Sequence, residues 1–274
     1  MMVSEQQIQD YNEQGFLVMR GLFSETEVAS FKAHFEGMRL RENVGKDQRQ
    51  FATNDPLYIY PRIMQPHRRD EVSLQWLIDT RLNEVITAVL GEEPLAVQTM
   101  FYFKPPGARG QALHQDQYYL RVQPGTCMAA WMAVDDCDDE NGCLRVVPGS
   151  HIWPLLCTIE ADTKESFTDV TVPLPEGVEA VPVIMQAGDV LFFNGQIVHG
   201  SLPNNTSDRF RRALIGHYIV GEAQQVYKWY KPVLRMDGSE IEMGESERGG
   251  TCGVWVNEGG TAELEMQVEL VMGD

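Results

Sequence analysis

The sequence predicts a mainly β protein, a sandwich or barrel with flanking α-helices. Two observations carry this. From residue 95 onward, short runs rich in aromatic and β-branched residues recur, separated by Gly, Pro, Asn and Asp. Before residue 93 the apolar residues follow helical spacing instead. No internal repeat, low-complexity run or linker splits the 274 residues, so one domain is expected. It divides into N-terminal helices over about 1–92, a β core over about 93–221 and a C-terminal extension over 222–274.

The elements follow in order. Residues 4–15 read as a helix capped by Ser4, and residues 15–21 as a strand closed by Gly21. Ser24 with Glu27 forms a capping box for a second helix, whose Val28, Phe31, Phe35 and Met38 keep helical spacing. Residues 42–56 are polar and aperiodic, hence a loop. A third helix is expected over 70–90, with Val72, Leu74, Leu77, Leu82, Val85, Ile86 and Val89 apolar and Gly91 ending it. Strands are expected at 95–104, 112–122, 127–134, 143–147, 181–184, 189–193, 197–200 and 211–220. The polar excursion 155–180 is a candidate lid. Residues 222–274 read either as a small C-terminal sheet or as a partly mobile tail.

Composition bounds the function. Net charge is −18, from 22 basic and 40 acidic residues, with a pI near 4.7. That argues against nucleic acid or an anionic membrane as partner, because both need a basic surface. A small-molecule substrate is the expected partner, and the oligomeric state stays open. The five cysteines (Cys127, Cys137, Cys143, Cys157, Cys252) contain no CxxC pair. They are read as small core residues in a reducing compartment, without a disulfide framework. Residues 1–6 lack a charged, then apolar, leader, and no stretch approaches the ~20 apolar residues of a bilayer span. A cytoplasmic location is expected.

The chemistry concentrates in His114-Gln115-Asp116 and in His199 of Val198-His199-Gly200-Ser201. Two imidazoles and one carboxylate are the ligand set of a mononuclear non-haem iron(II) site, which leaves one face open. On a strand, residues i and i+2 share a face, so His114 and Asp116 can grip one ion while Gln115 points away. His199 must come from another strand. By the same alternation Arg211, Ala213 and Ile215 share a face, opposite Arg212 and Leu214. A half-buried arginine needs an anion, and its planar fork suits a carboxylate. Arg212 is read as a surface group. His34, His67 and His217 are read as ordinary structural histidines, and His151 as a loop residue able to contact substrate. The acidic run 135–140 lacks calcium-loop spacing and reads as a solvated turn.

Several motifs in fixed order then point to a family. They are Met100-Phe101-Tyr102-Phe103-Lys104-Pro105-Pro106, Leu113-His114-Gln115-Asp116, Ala130-Trp131, the stretch from Asn141-Gly142-Cys143 to Pro148-Gly149-Ser150-His151, and His199-Gly200-Ser201 followed by Arg211-Arg212-Ala213. With the opening Tyr11-Asn12-Glu13-Gln14-Gly15-Phe16, the chain resembles the phytanoyl-CoA dioxygenase family of iron(II)- and 2-oxoglutarate-dependent oxygenases. The resemblance implies a double-stranded β-helix (a cupin-like jelly roll). It implies His114, Asp116 and His199 as iron ligands, and Arg211 and Ser201 as holders of the distal carboxylate of 2-oxoglutarate. It further implies that Trp131, Met100, Gln115 and Arg62 touch the cosubstrate or metal. The activity implied is O2-dependent hydroxylation of a small molecule, with succinate and CO2 released. Asp116 fills the place that related halogenases leave to chloride, which favours hydroxylation. The alternatives are a non-catalytic iron/2-oxoglutarate sensor and a jelly-roll metal-dependent hydrolase or isomerase.

Overall fold

The computed structural model describes residues 3–41, 52, 54–247, 250–258 and 261–269. Most of the loop expected at 42–56 lies outside the described residues. Two antiparallel sheets form the core. The larger has the strand order Phe16–Met19, Val190–Asn194, Cys127–Ala133, Ala213–Ile219, Leu95–Tyr102, Val233–Leu234, Glu240–Ile241, with Ile63–Met64 also pairing Leu95–Tyr102. The smaller has the order Gln111–His114, His199–Ser201, Leu144–Val146, Val181–Pro182. Sequence-distant strands thus lie side by side, as in the double-stranded β-helix.

Side-chain alternation builds two cores from one sheet. Met100, Trp131, Leu191, Phe193 and Ile215 of the larger sheet face Leu144 and Val146 of the smaller one. Their sequence neighbours Phe101, Met132, Phe192 and Leu214 face outward, against Phe35, Trp76, Leu82 and Ile86 of the N-terminal helices. The helix caps form as the sequence predicts: Ser4 accepts from the Gln7 N–H, and Ser24 and Glu27 cap each other reciprocally.

The structure departs from the sequence reading in five places. The helix expected over 70–90 is two, Glu71–Leu77 and Thr80–Leu90. Asp79 leaves helical geometry and caps the second through the Arg81 N–H; an aspartate so placed competes with the helix interior. The strand expected over 112–122 ends at His114, and Gln117–Leu120 is a helical turn. Cys157 and Cys252 form a disulfide, whereas Cys127, Cys137 and Cys143 are the buried thiols expected. Arg212 is buried, not superficial; it pairs with Glu36 at 3.0 Å and Asp135 at 2.9 Å. The run 135–140 is not simply solvated: Asp135 also meets Lys32, and Asp138 and Glu140 hold Arg209.

The extension carries strands rather than a bare tail, and its Gly250–Glu258/Thr261–Glu269 hairpin is tied to the 155–180 excursion. Gly253 accepts from the Cys157 N–H and donates to Leu155 O, and Trp255 packs on Trp153.

Candidate metal and cosubstrate site

His114 and His199 are register partners on adjacent strands of the smaller sheet, with ring centroids 4.1 Å apart. Asp116 does not reach the site by strand alternation. The chain turns after His114, and Asp116 takes a right-handed helical backbone (φ −62°, ψ −32°) that swings its carboxylate back. Oδ1 lies 3.5 Å from His114 Nε2, and Oδ2 lies 3.7 Å from His199 Nε2. One ligand atom from each residue falls within 4.8 Å of the others, and all three residues are buried. Each histidine turns Nδ1 to a backbone carbonyl, Ala112 O at 2.8 Å and Ile197 O at 3.1 Å. That places the ring proton on Nδ1 and leaves both Nε2 lone pairs converging with the carboxylate.

The electrostatics keep His199 and Asp116 unprotonated. Burial, followed by the neighbouring His114, lowers His199 to about 4. Burial alone would raise the Asp116 carboxyl. His199 and His217 outweigh it and hold the group well below the carboxylate range. A buried, anionic N,N,O set on one side of a cavity fits a divalent metal with open positions opposite.

His217, which the sequence alone presents as an ordinary structural histidine, belongs to this site. Its Nε2 lies 3.0 Å from Asp116 Oδ2, and its Nδ1 lies 2.9 Å from Gln98 Oε1. The alternation that placed Arg211, Ala213 and Ile215 on the inner face extends to residue 217 and carries the signal that finds it.

Beyond the triad lies a cationic end. Arg211 is 3% exposed and Lys104 is 4% exposed. Arg211 Nε donates to Gly142 O at 3.1 Å, its guanidinium lies over Trp131, and its Nη1 is buried without a hydrogen-bond partner among the described residues. Lys104 Nζ donates to Gly142 O, Ser201 Oγ and Leu202 O. Among the described residues neither cation has a carboxylate partner. Burial, then the charge of Arg211, pulls the Lys104 ammonium well below its usual range. Two buried cations without a counter-ion are costly. With the orphaned Nη1, they fit the distal carboxylate of a dicarboxylate such as 2-oxoglutarate.

Met100, Trp131, Ser201 and Arg211 therefore line one pocket with His114, Asp116 and His199. Arg62 sits at its edge, over the rings of Phe167 (4.5 Å) and Tyr102 (5.6 Å), which line it. Gln115, unlike the contact the resemblance implies, does not line the pocket. Its amide turns away and binds Pro154 O, Gln196 O and the Leu156 N–H, so it fastens the start of the excursion. His151 is also remote, its Nε2 lying 3.2 Å from Asn12 O. Lys104, His217, Gln111 and Phe167 are pocket or near-pocket residues to which the sequence reading gave no role there. The excursion contributes Phe167 directly.

Comparisons with known proteins agree with this geometry. A family model described as phytanoyl-CoA dioxygenase (PhyH) matches residues 11–213. The peroxisomal phytanoyl-CoA dioxygenase of Rattus norvegicus is 27% identical over 235 residues, covering 79% of this chain and 68% of the relative. Phytanoyl-CoA dioxygenase 1 of Oryza sativa subsp. japonica is 30% identical over 154 residues, covering 56% of this chain and 54% of the relative. Among solved structures, the epimerase SnoN in complex with Fe3+, alpha ketoglutarate and nogalamycin RO shares the fold, with a TM-score of 0.66 at 21% identity over 80% of this chain and 84% of that one.

Proposed function

Because the chain belongs to the phytanoyl-CoA dioxygenase family of iron(II)- and 2-oxoglutarate-dependent oxygenases, we propose that it hydroxylates an unactivated C–H bond of a small molecule. The observation that carries this is the presence, in one pocket, of the buried His114–Asp116–His199 set and of Arg211, a buried cation with no carboxylate partner among the described residues. Iron(II), 2-oxoglutarate and O2, when bound, would supply the oxidising chemistry: 2-oxoglutarate loses CO2 and takes one oxygen atom to become succinate, and the other oxygen atom enters the hydroxylated product.

The chain's own groups do the rest. His114, Asp116 and His199 hold the metal, with His217 fixing the Asp116 carboxylate from behind. Arg211 receives the far carboxylate of the cosubstrate, and Ser201, presented by Lys104, adds a hydroxyl. Met100, Trp131, Phe193 and Ile215 exclude water around it. Phe167 and Tyr102, under Arg62, form the outer wall where a substrate enters. Asp116 occupies the position whose loss would free a coordination place for halide, so oxygen rather than halogen transfer is the expected outcome.

The substrate is a separate question. The fold hosts many, and a net charge of −18 weighs against a polyanionic thioester such as an acyl-CoA. No helix among the described residues is long and apolar enough to cross a membrane. The reading is tested by an aerobic screen of candidate metabolites with iron(II), 2-oxoglutarate and isotope-labelled O2. Label in a hydroxylated product, matched by succinate, supports it. Substrate conversion without O2 and without 2-oxoglutarate would favour a metal-dependent hydrolase or isomerase.

A further inference from the structure

The excursion 155–180 grips the chain on both sides of His114. At its start, the Leu156 N–H donates to Gln115 Oε1 at 2.8 Å, and Gln115 Nε2 donates to the neighbouring Pro154 O at 3.2 Å. At its far end, the Val172 N–H and the Thr171 hydroxyl donate to Leu113 O, at 2.9 and 3.1 Å. Leu113 and Gln115 are the residues that flank His114. Gln115 also opens the turn that swings Asp116 back to the pocket. Two of the three metal donors are therefore held from behind by the two ends of one excursion.

The C-terminal hairpin joins those two ends. At the first, Cys252 is bridged to Cys157, Gly253 O accepts from the Cys157 N–H at 3.0 Å, and the Gly253 N–H donates to Leu155 O at 2.7 Å. At the second, Trp255 Nε1 donates to Pro173 O at 3.2 Å. Trp255 and Leu264 also pack on the apolar cluster of Leu113, Val147 and Val198, which lies behind both histidine strands. A Cβ on Gly253 would stand 3.0 Å from Leu264 Cδ2 and 3.4 Å from Pro154 Cγ, so glycine lets the hairpin lie this close. All of this lies beyond residues 11–213, the part of the chain that the family model matches. The bridge makes the grip covalent. Its Cys157 is half-buried and its Cys252 is 3% exposed, so an attacking thiolate meets the Cys157 sulfur first.

We propose that the hairpin is a redox-latched clasp that positions His114 and Asp116 for the metal. A dithiol opens the latch. Its first sulfur displaces Cys252 from Cys157 and forms a mixed disulfide. Its second sulfur displaces Cys157, and both cysteines leave as thiols. The dithiol supplies two electrons and two protons and ends as its own cyclic disulfide. The start of the excursion is then held to the hairpin by non-covalent contacts alone. Leu156 loosens from Gln115, and the turn that carries Asp116 loosens with it. The inference rests on the metal reading above and adds to it a control by thiol–disulfide exchange.

The test is an anaerobic titration of the full chain with iron(II), and with cobalt(II) as a spectroscopic probe. The chain is taken oxidised, then reduced with dithiothreitol and freed of it by desalting, then reoxidised. Amide hydrogen exchange is followed in the metal-free protein. Reduction should weaken metal binding by roughly threefold to thirtyfold, the range for coupling through a packed network. It should also speed exchange at Leu156 and Val172 and change the visible band of cobalt(II), and reoxidation should restore all three. The double variant Cys157→Ser/Cys252→Ser should behave as the reduced wild type and ignore the dithiol. A metal affinity that stays within about twofold between the redox states overturns the proposal even if exchange quickens, because the hairpin then fastens only the excursion. So does an equal dithiol effect in the double variant, which places that effect elsewhere. If reduction unfolds the chain, Trp255→Phe decides. It keeps the bridge and an aromatic ring but removes the bond to Pro173 O. Exchange at Val172 should quicken and metal binding should weaken by more than about twofold, and unchanged values overturn the proposal. An oxidised wild type that binds neither ion would overturn the metal reading itself, and that result is seen before any reduction.

Discussion

Replacing Arg211 with methionine should push the free protein and its cosubstrate complex in opposite directions. Arg211 is buried with one backbone acceptor at 3.1 Å, an aromatic ring beneath it and no carboxylate partner among the described residues. Replacing such a charge with an apolar side chain of similar volume is neutral or stabilising by about 1–4 kcal/mol. Without ligand, Arg211→Met should therefore melt at or above the wild-type temperature. With 2-oxoglutarate the sign reverses. Removing one partner of a buried charge pair costs about 3–5 kcal/mol, and Lys104 nearby offsets part of this. The dissociation constant should rise by about two orders of magnitude, while iron(II) affinity stays within about threefold. The assay is thermal unfolding with iron(II), with and without 2-oxoglutarate. At a hundredfold excess over its dissociation constant the cosubstrate adds about 2.7 kcal/mol to the wild type. For a chain of this size that is a rise of roughly 5–10 °C. The variant should show almost none of it at the same concentration. A full cosubstrate shift in the variant, or a free variant destabilised by more than about 2 kcal/mol, would refute the reasoning.

Three further outcomes follow from the same structure. His217→Leu should weaken iron(II) binding about 10–100-fold by leaving Asp116 Oδ2 unsupported, and His217→Gln, which keeps a donor, should recover part of it; equal iron affinity in all three proteins contradicts the contact. His67 is held neutral near pH 7, lowered to about 4 by burial and then by Arg68 and Arg69, and its Nδ1 accepts the Thr99 N–H. The unfolded chain takes up this proton near pH 6.5 and the folded chain only near 4, so stability present above pH 6.5 should fall across that window by about 3 kcal/mol. Urea unfolding against pH should show a correspondingly smaller fall in His67→Gln. Cys252→Ser opens a bridge spanning 95 residues, for which chain entropy sets a loss of at most roughly 4–5 kcal/mol; equal reaction of all five cysteines with a thiol reagent under non-reducing conditions would contradict the bridge.

The candidate donors His114, Asp116 and His199 stand out in the sequence because their residue types are chemically unusual together, and Arg211 through Ile215 share one inner face by simple alternation. What escaped did so where local periodicity stops. Gln111 lines the pocket only through a shift of strand register between His199 and Ser201, and such a shift has no period-two signature. Asp116 reaches the site only because the chain abandons the strand after His114. Asp79 is a recognisable cap, but the apolar spacing continued across it from Leu77 to Leu82 and hid the break. Arg212 and the Cys157–Cys252 bridge depend on partners far along the chain, which no local window contains. Lys104 sits in a plain strand-to-turn sequence. Only the fold shows that its ammonium is buried against Ser201 and faces no carboxylate.

The most direct test of the central claim is succinate release from 2-oxoglutarate in the absence of any added substrate. Slow, uncoupled release is expected from the wild type, dependent on both iron(II) and O2 and abolished in His199→Ala. Release that persists without O2 or in His199→Ala, or no release under any condition with or without candidate substrates, would contradict the account.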